Sequence, residues 1–163
     1  MRLAVWRFVT LLLAALAFTM ESAHVLALPQ KMQYDPAMYT AVNGTLYRYF
    51  AIVGGVYQVG SIVAAGVLAY VVRNRRPAFP WTVLGAACLL LAFGIWLIVV
   101  APVNHQIAEA LRAAPESAPA LWMRLRDRWE YGHAAGFVVQ LVGLAALVIS
   151  LLVEIPSDGR AAA

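Results

Sequence analysis

The sequence predicts an all-α fold: an integral membrane, antiparallel four-helix bundle, both termini cytoplasmic and the last helix extended beyond the membrane. Three observations predict it. Of the 163 residues 63% are apolar and 12% charged, against about 25% charged in soluble domains. The apolar residues gather into four runs, each near the roughly 20 residues that a bilayer asks of a helix. The charges gather at the ends of those runs. A formal charge of +4 and a pI near 9.6 do not indicate nucleic acid, because the arginines form no basic face; the expected partner is the lipid bilayer. The reading is one domain over 1–154, with helices at about 3–28, 49–72, 79–112 and 119–153, and a short disordered tail over 155–163.

In the first run, Leu3 to Met20 is apolar apart from Arg7 and Thr10, and Glu21 and His24 follow before Pro29. Two readings compete. Arg2, Arg7, a short apolar core and Val25-Leu26-Ala27 resemble a signal peptide with its cleavage site. Alternatively the run continues to Leu28 as a membrane helix of about 25 residues. The retained helix is preferred, because Glu21 and His24 match features elsewhere in the chain. Pro29 to Tyr49 reads as a polar and aromatic connection. Asn43-Gly44 is its turn, and Tyr34, Tyr39, Tyr47 and Tyr49 form an interfacial belt.

Phe50 to Val72 is a second span without formal charge. Its Gly54, Gln58, Ser61 and Ala65 form a small-and-polar stripe, which faces other helices because lipid offers polar groups no partner. Arg73-Asn74-Arg75-Arg76-Pro77 is a short basic turn, placed in the cytoplasm by the positive-inside rule. Ala78 to Val103 is the third uncharged run, with Cys88 as a small packing residue and Pro102 loosening its last turn. Gln106 to Arg112 continues that helix outside the lipid, and Ala113 to Pro119 breaks it. Ser117 and Pro119 suit the start of a new helix, unbroken to Val153. Positive charge in the short turn and amino terminus orients the chain, and the Ala- and Arg-rich composition points to a bacterial inner (plasma) membrane.

Four antiparallel spans bring Glu21, His24, Tyr47, Arg48, Asn104, His105, Arg126, Arg128, Trp129, Glu130 and His133 to one membrane face. All three histidines are in this set, and ionisable residues at membrane depth are functional candidates by default. Glu21-Ser22-Ala23-His24 and Glu130-Tyr131-Gly132-His133 are both Glu-x-x-His, which sets the two side chains on one helical face. Two such pairs are half of the ligand set of a carboxylate-bridged di-metal bundle. Glu21, His24, Glu130, His133 and His105 are therefore candidate metal ligands, and two histidines could also hold a haem. The plainer reading pairs Glu130 with Arg126 one turn back. Deeper in, Gln58 and Gln140 stand at equal depth and are expected to share an amide–amide hydrogen bond.

Arg128-Trp129-x-x-x-His133 opens the last apolar run after an Arg- and Trp-containing approach. With Pro102-Val103-Asn104 ending the third span, it resembles the anthrone oxygenase family of small four-helix membrane proteins. The characterised members of that family oxidise anthrones, tricyclic polyketide intermediates, to anthraquinones with dioxygen, and the resemblance requires no cofactor. It implies that Asn104, Arg128, Trp129 and His133 are the catalytic positions. It implies His133 as the base, Arg128 and Asn104 as stabilisers of an enolate oxygen, and Trp129 as an aromatic wall for a flat lipophilic molecule. Where the family resemblance leads one to expect an arginine, one turn after the histidine, this chain has Gly136. Two alternatives stand beside this reading: a metal- or haem-binding redox membrane protein, and a non-enzymatic accessory protein whose arginines dock a partner or lipid headgroups.

Overall fold

The structure, a computed structural model, describes residues 2–155. The described residues are helical with no strand, in the order α1 (Arg2–Lys31), α2 (Pro36–Thr45), α3 (Phe50–Val72), α4 (Phe79–Ile95), a π-helical turn (Trp96–Val100), α5 (Ala101–Ala113), a 3-10 turn (Pro115–Ser117) and α6 (Ala118–Leu152). Four stretches are long and apolar enough to cross a membrane: α1, α3, the continuous Phe79–Ala113 and Pro115–Leu152. The expected disordered tail lies, from residue 156 on, outside the described residues.

Along the spans many small residues face inward and many large aliphatic ones outward. Ala14, Ala17, Ala64, Ala65, Ala92 and Ala146 are buried, while Ile52, Val56, Leu90, Leu91, Ile98 and Val138 are exposed. That inversion suits lipid, where large apolar side chains need no shelter and close backbone approach holds helices together. Helices α4 and α6 approach closely. A methyl group added at Gly85 would stand 2.6 Å from Leu147 Cγ, and one at Gly143 would stand 2.9 Å from Cys88 Cβ. Each of α1 and α4 packs on both α3 and α6, so the four spans close into a ring.

Polar contacts mark the two ends of the ring. Arg7 of α1 and Arg75 of the basic turn both pair with Glu154 after α6, and nearby the Thr82 and Ser150 hydroxyls share a hydrogen bond of 2.6 Å. The other end gathers Lys31, Tyr39 and Glu130. In between, Gln140 Nε2 donates to Gln58 Oε1 at 2.7 Å, the amide pair expected from equal depth.

Three segments depart from the sequence reading. Residues 36–45 are a helix, not a turn-containing loop, and Asn43-Gly44 lies inside it. Its start has clear chemistry: the Asp35 side chain accepts from the Met38 N–H at 2.8 Å with Pro36 in the first turn, an N-cap and N1 pair. Second, α1 does not stop at Leu28 but runs through Pro29 to Lys31, which carries Lys31 into the bundle. Third, the helix over Phe79–Ala113 widens to a π turn at Trp96–Val100, just ahead of Pro102, where only a loosened last turn was expected. Proline has no N–H, so the Ile98 carbonyl four residues earlier loses its α-helical donor. Gly132 on α6 accommodates the widened turn: a methyl group there would meet Val99 and Val100 at 2.9 Å.

Candidate functional site

Trp129 and His133 are four apart on α6, and Glu21 and His24 three apart on α1, so each pair shares a helical face. The two faces meet. His133 Nδ1 lies 2.8 Å from Glu21 Oε2, with side-chain exposures of only 7% and 12%. A carboxylate only accepts, so Nδ1 carries the hydrogen, and in the neutral imidazole Nε2 then keeps its lone pair. Gly136, one turn below His133, makes room for this contact, because the Glu21 carboxyl lies 3.5 Å from where a Cβ would stand.

His24 stacks on His133 with ring centroids 3.8 Å apart and planes 19° off parallel. Its other face is covered by Tyr47 at 4.6 Å, and Trp129 meets it edge-on at 4.9 Å. Trp129 is itself held in place: its Nε1 donates to Asn104 Oδ1 at 2.8 Å. Indole N–H is a donor only, so the Asn104 oxygen is committed to Trp129 and its NH₂ group remains to donate elsewhere.

These residues wall a cavity of about 190 Å³, larger than the ~150 Å³ apolar cavity that admits benzene. Glu21, His24, Asn104, Trp129 and His133 line its upper half, Phe50, Phe93 and Trp96 its sides, and Gln58 and Gln140 its floor. The walls are thus aromatic and the polar groups few and convergent, the usual make-up of a small-molecule site.

Of the four positions implied as catalytic, the structure brings Asn104, Trp129 and His133 to this cavity and leaves Arg128 out. Arg128 is exposed and donates to the Ile98 carbonyl at 3.1 Å, the carbonyl that Pro102 deprives of its helical partner. The reason is angular: at 100° per residue, position 128 stands about 140° round the helix from 133. Its visible role is to pin α6 to the π turn.

The five metal-ligand candidates do not converge. Glu21, His24 and His133 cluster, but His105 is exposed beside Glu109 at 3.5 Å, and Glu130 belongs to another group. Among the described residues no three His, Cys, Asp or Glu side chains are arranged to hold a metal ion. Face-to-face stacking also prevents His24 and His133 from ligating opposite sides of a haem.

Glu130 pairs not with Arg126 but with Lys31, at 2.6 Å, both side chains essentially sealed from solvent. Tyr39, fully buried on α2, donates its hydroxyl to the same Glu130 oxygen at 2.7 Å. Burial first, and the Glu130 charge second, push the Tyr39 phenol well above its ordinary value, so it remains a donor. The ammonium also sits over the Trp129 and Tyr47 rings, at 4.3 and 4.5 Å from their centroids. The Trp129 ring therefore separates a buried ion pair from the histidine stack. Sequence reasoning missed Lys31 and Tyr39. The signals available for them were the Asp35-Pro36 helix start and the lone lysine.

Fold and site together define a multi-pass helical membrane protein with an aromatic-walled cavity and a carboxylate–imidazole pair at its edge. The sequence pattern of the anthrone oxygenase family matches residues 46–153. The chain belongs to that family. No match is found among curated proteins or among solved structures. The matched segment holds α3 to α6, while Glu21, His24, Lys31 and Tyr39 come from the helices before it.

Proposed function

We propose that the protein uses dioxygen to oxidise a flat, lipophilic phenol- or anthrone-like molecule bound in this cavity, with His133 as the base. The observation that carries the reading is the 2.8 Å contact between His133 and Glu21 at the cavity wall, which leaves Nε2 as a proton acceptor. Membership of the anthrone oxygenase family supports the reaction class.

An anthrone carries two hydrogens on the ring carbon opposite its carbonyl. His133 Nε2 takes one as a proton, and the C–H electron pair moves into the ring to make an enolate. The Asn104 NH₂ group is the donor suited to that enolate oxygen. Glu21 steadies the imidazolium, and the Trp129 and Phe93 rings suit a planar ligand. Dioxygen adds at the carbanionic carbon and takes up the proton as a hydroperoxide. Loss of the second C–H proton breaks the O–O bond, hydroxide leaves with that proton as water, and the carbon becomes a carbonyl. Anthrone plus dioxygen gives anthraquinone plus water. Arg128 has no part in this scheme. The site is assigned to the outer face of a bacterial inner membrane, on the strength of the basic Arg73–Arg76 turn at the opposite end.

The test is anthrone oxidation by purified protein in dioxygen-saturated buffer. His133→Ala is expected to lower the rate by about 10²- to 10⁴-fold, the range for a general base, while keeping the fold. Parent-level activity in that variant would end the reading.

A further inference from the structure

The cavity floor holds polar capacity that the proposed reaction does not use. Gln58 Nε2 donates to the Leu89 carbonyl at 2.8 Å, and a carbonyl can only accept, so the Gln58 oxygen must face the other way. That oxygen receives Gln140 Nε2 at 2.7 Å. The Gln140 amide is thereby fixed in turn, NH₂ toward Gln58 and oxygen free. Gln140 is 3% exposed, and its Oε1 is buried with no hydrogen-bond partner in the protein. An unpaired buried amide oxygen is unfavourable, and the chain Leu89–Gln58–Gln140 prevents it from turning away.

Spacing relates this oxygen to the reacting end. Gln140 lies seven positions after His133 on α6, about 10 Å along the helix axis. A fused aromatic ring with one contact at each end fills such a span. The upper half offers a donor, the Asn104 NH₂ group, for a carbonyl or enolate oxygen. The floor is lined by Gln140, whose unpartnered oxygen is an acceptor.

We propose that Gln140 is a specificity-determining residue: it accepts a hydrogen bond from a phenolic hydroxyl on the outer ring of the substrate, favouring hydroxylated ligands over their ethers. The proposal rests on the oxygenase reading for the nature of the ligand. Asn43 is the competing acceptor, since its Oδ1 is also buried and unpartnered and it lines the same cavity.

The experiment measures binding of three anthraquinones to the purified full-length protein by quenching of tryptophan emission, as Trp96, Trp122 and Trp129 line the cavity. One ligand is unsubstituted, one carries an outer-ring hydroxyl, and one is the methyl ether of that hydroxyl. Gly55→Leu serves as the blocked control, because Gly55 lines the cavity and nothing lies within 4 Å of its missing Cβ. In the parent protein the hydroxylated ligand is expected to bind on the order of tenfold to a hundredfold more tightly than its ether. Gln140→Leu should abolish that preference while still binding the ether, and Asn43→Leu should retain it. Gln140→Met, closer in shape, replaces the leucine variant if that one does not fold. Equal parent binding of hydroxyl and ether, blocked by Gly55→Leu, overturns the inference and leaves the oxygenase reading standing. A preference that disappears with Asn43 and survives at Gln140 also overturns it. Failure of the parent to bind any of the three overturns both.

Discussion

Glu21-x-x-His24 and Glu130-x-x-His133 have the same spacing and stand on adjacent antiparallel helices, yet they end in different chemistry. The glutamate of the first reaches across to the histidine of the second, while its own histidine only stacks. The glutamate of the second turns away to Lys31 and Tyr39. Of two identical motifs, one carboxylate thus holds an imidazole at a cavity wall and the other closes a buried ion pair. The difference lies in the neighbours. Gly136 opens a space for Glu21 beside His133, whereas Glu130 faces the end of α1 and the small helix α2, where the lysine and tyrosine are.

This division can be tested from its stronger side downward. Glu130→Gln leaves the Lys31 ammonium buried without a counter-charge, which should destabilise the protein by about 3–5 kcal/mol. Thermal unfolding in detergent reads this, and an unaltered melting temperature would place Glu130 in a solvated setting. Replacing both partners, Lys31→Met with Glu130→Leu, should recover much of the loss.

Glu21→Gln should do the reverse. The fold is expected to survive, while the amide can hydrogen-bond the wrong imidazole tautomer, so anthrone oxidation should fall by about a hundredfold or more. A stability loss with unchanged turnover would erase the contrast between the two glutamates.

Arg128→Ala separates the pinning role from a catalytic one. Loss of an exposed bond to the Ile98 carbonyl should lower stability by about 0.5–1 kcal/mol with turnover almost intact. A hundredfold fall in activity would return Arg128 to the reaction.

The smallest effect concerns pH. The Tyr39 phenol is pushed above its ordinary value by burial and by Glu130. Its contribution is therefore fully present below the unfolded value of about 10 and is lost as pH rises beyond it. Tyr39→Phe should lose about 1 kcal/mol of stability at neutral pH, read as a lower unfolding temperature, and lose less further stability than the parent above pH 10.

The spans were legible because composition and run length reflect the solvent, and lipid is an unforgiving one for polar backbone and charge. The Gln58–Gln140 bond was legible for a related reason, since a polar side chain at mid-span needs a polar neighbour at its own depth. His133 and Trp129 were legible as one helical face. Arg128 was not, although its 140° offset from His133 was available from helix geometry, because the short motif was read as a unit rather than as angular positions. Helix α2 was hidden by Asn43-Gly44, a turn signal that tertiary burial of Tyr39 overrides.

Partnership is where local information ended. Periodicity tells which side chains share a face of one helix, and it contains nothing about the rotation of that helix against its neighbours. Here the rotation comes from distant small residues: Gly85 and Gly143 draw α4 onto α6, Gly132 receives the π turn, and Gly136 admits the Glu21 carboxyl. Composition and run length alone dictate four membrane-crossing helices with their ionisable residues gathered at the ends of the spans. That Glu21 meets His133 while Glu130 meets Lys31 was decided only by packing, because each pairing depends on how closely two backbones approach far along the chain.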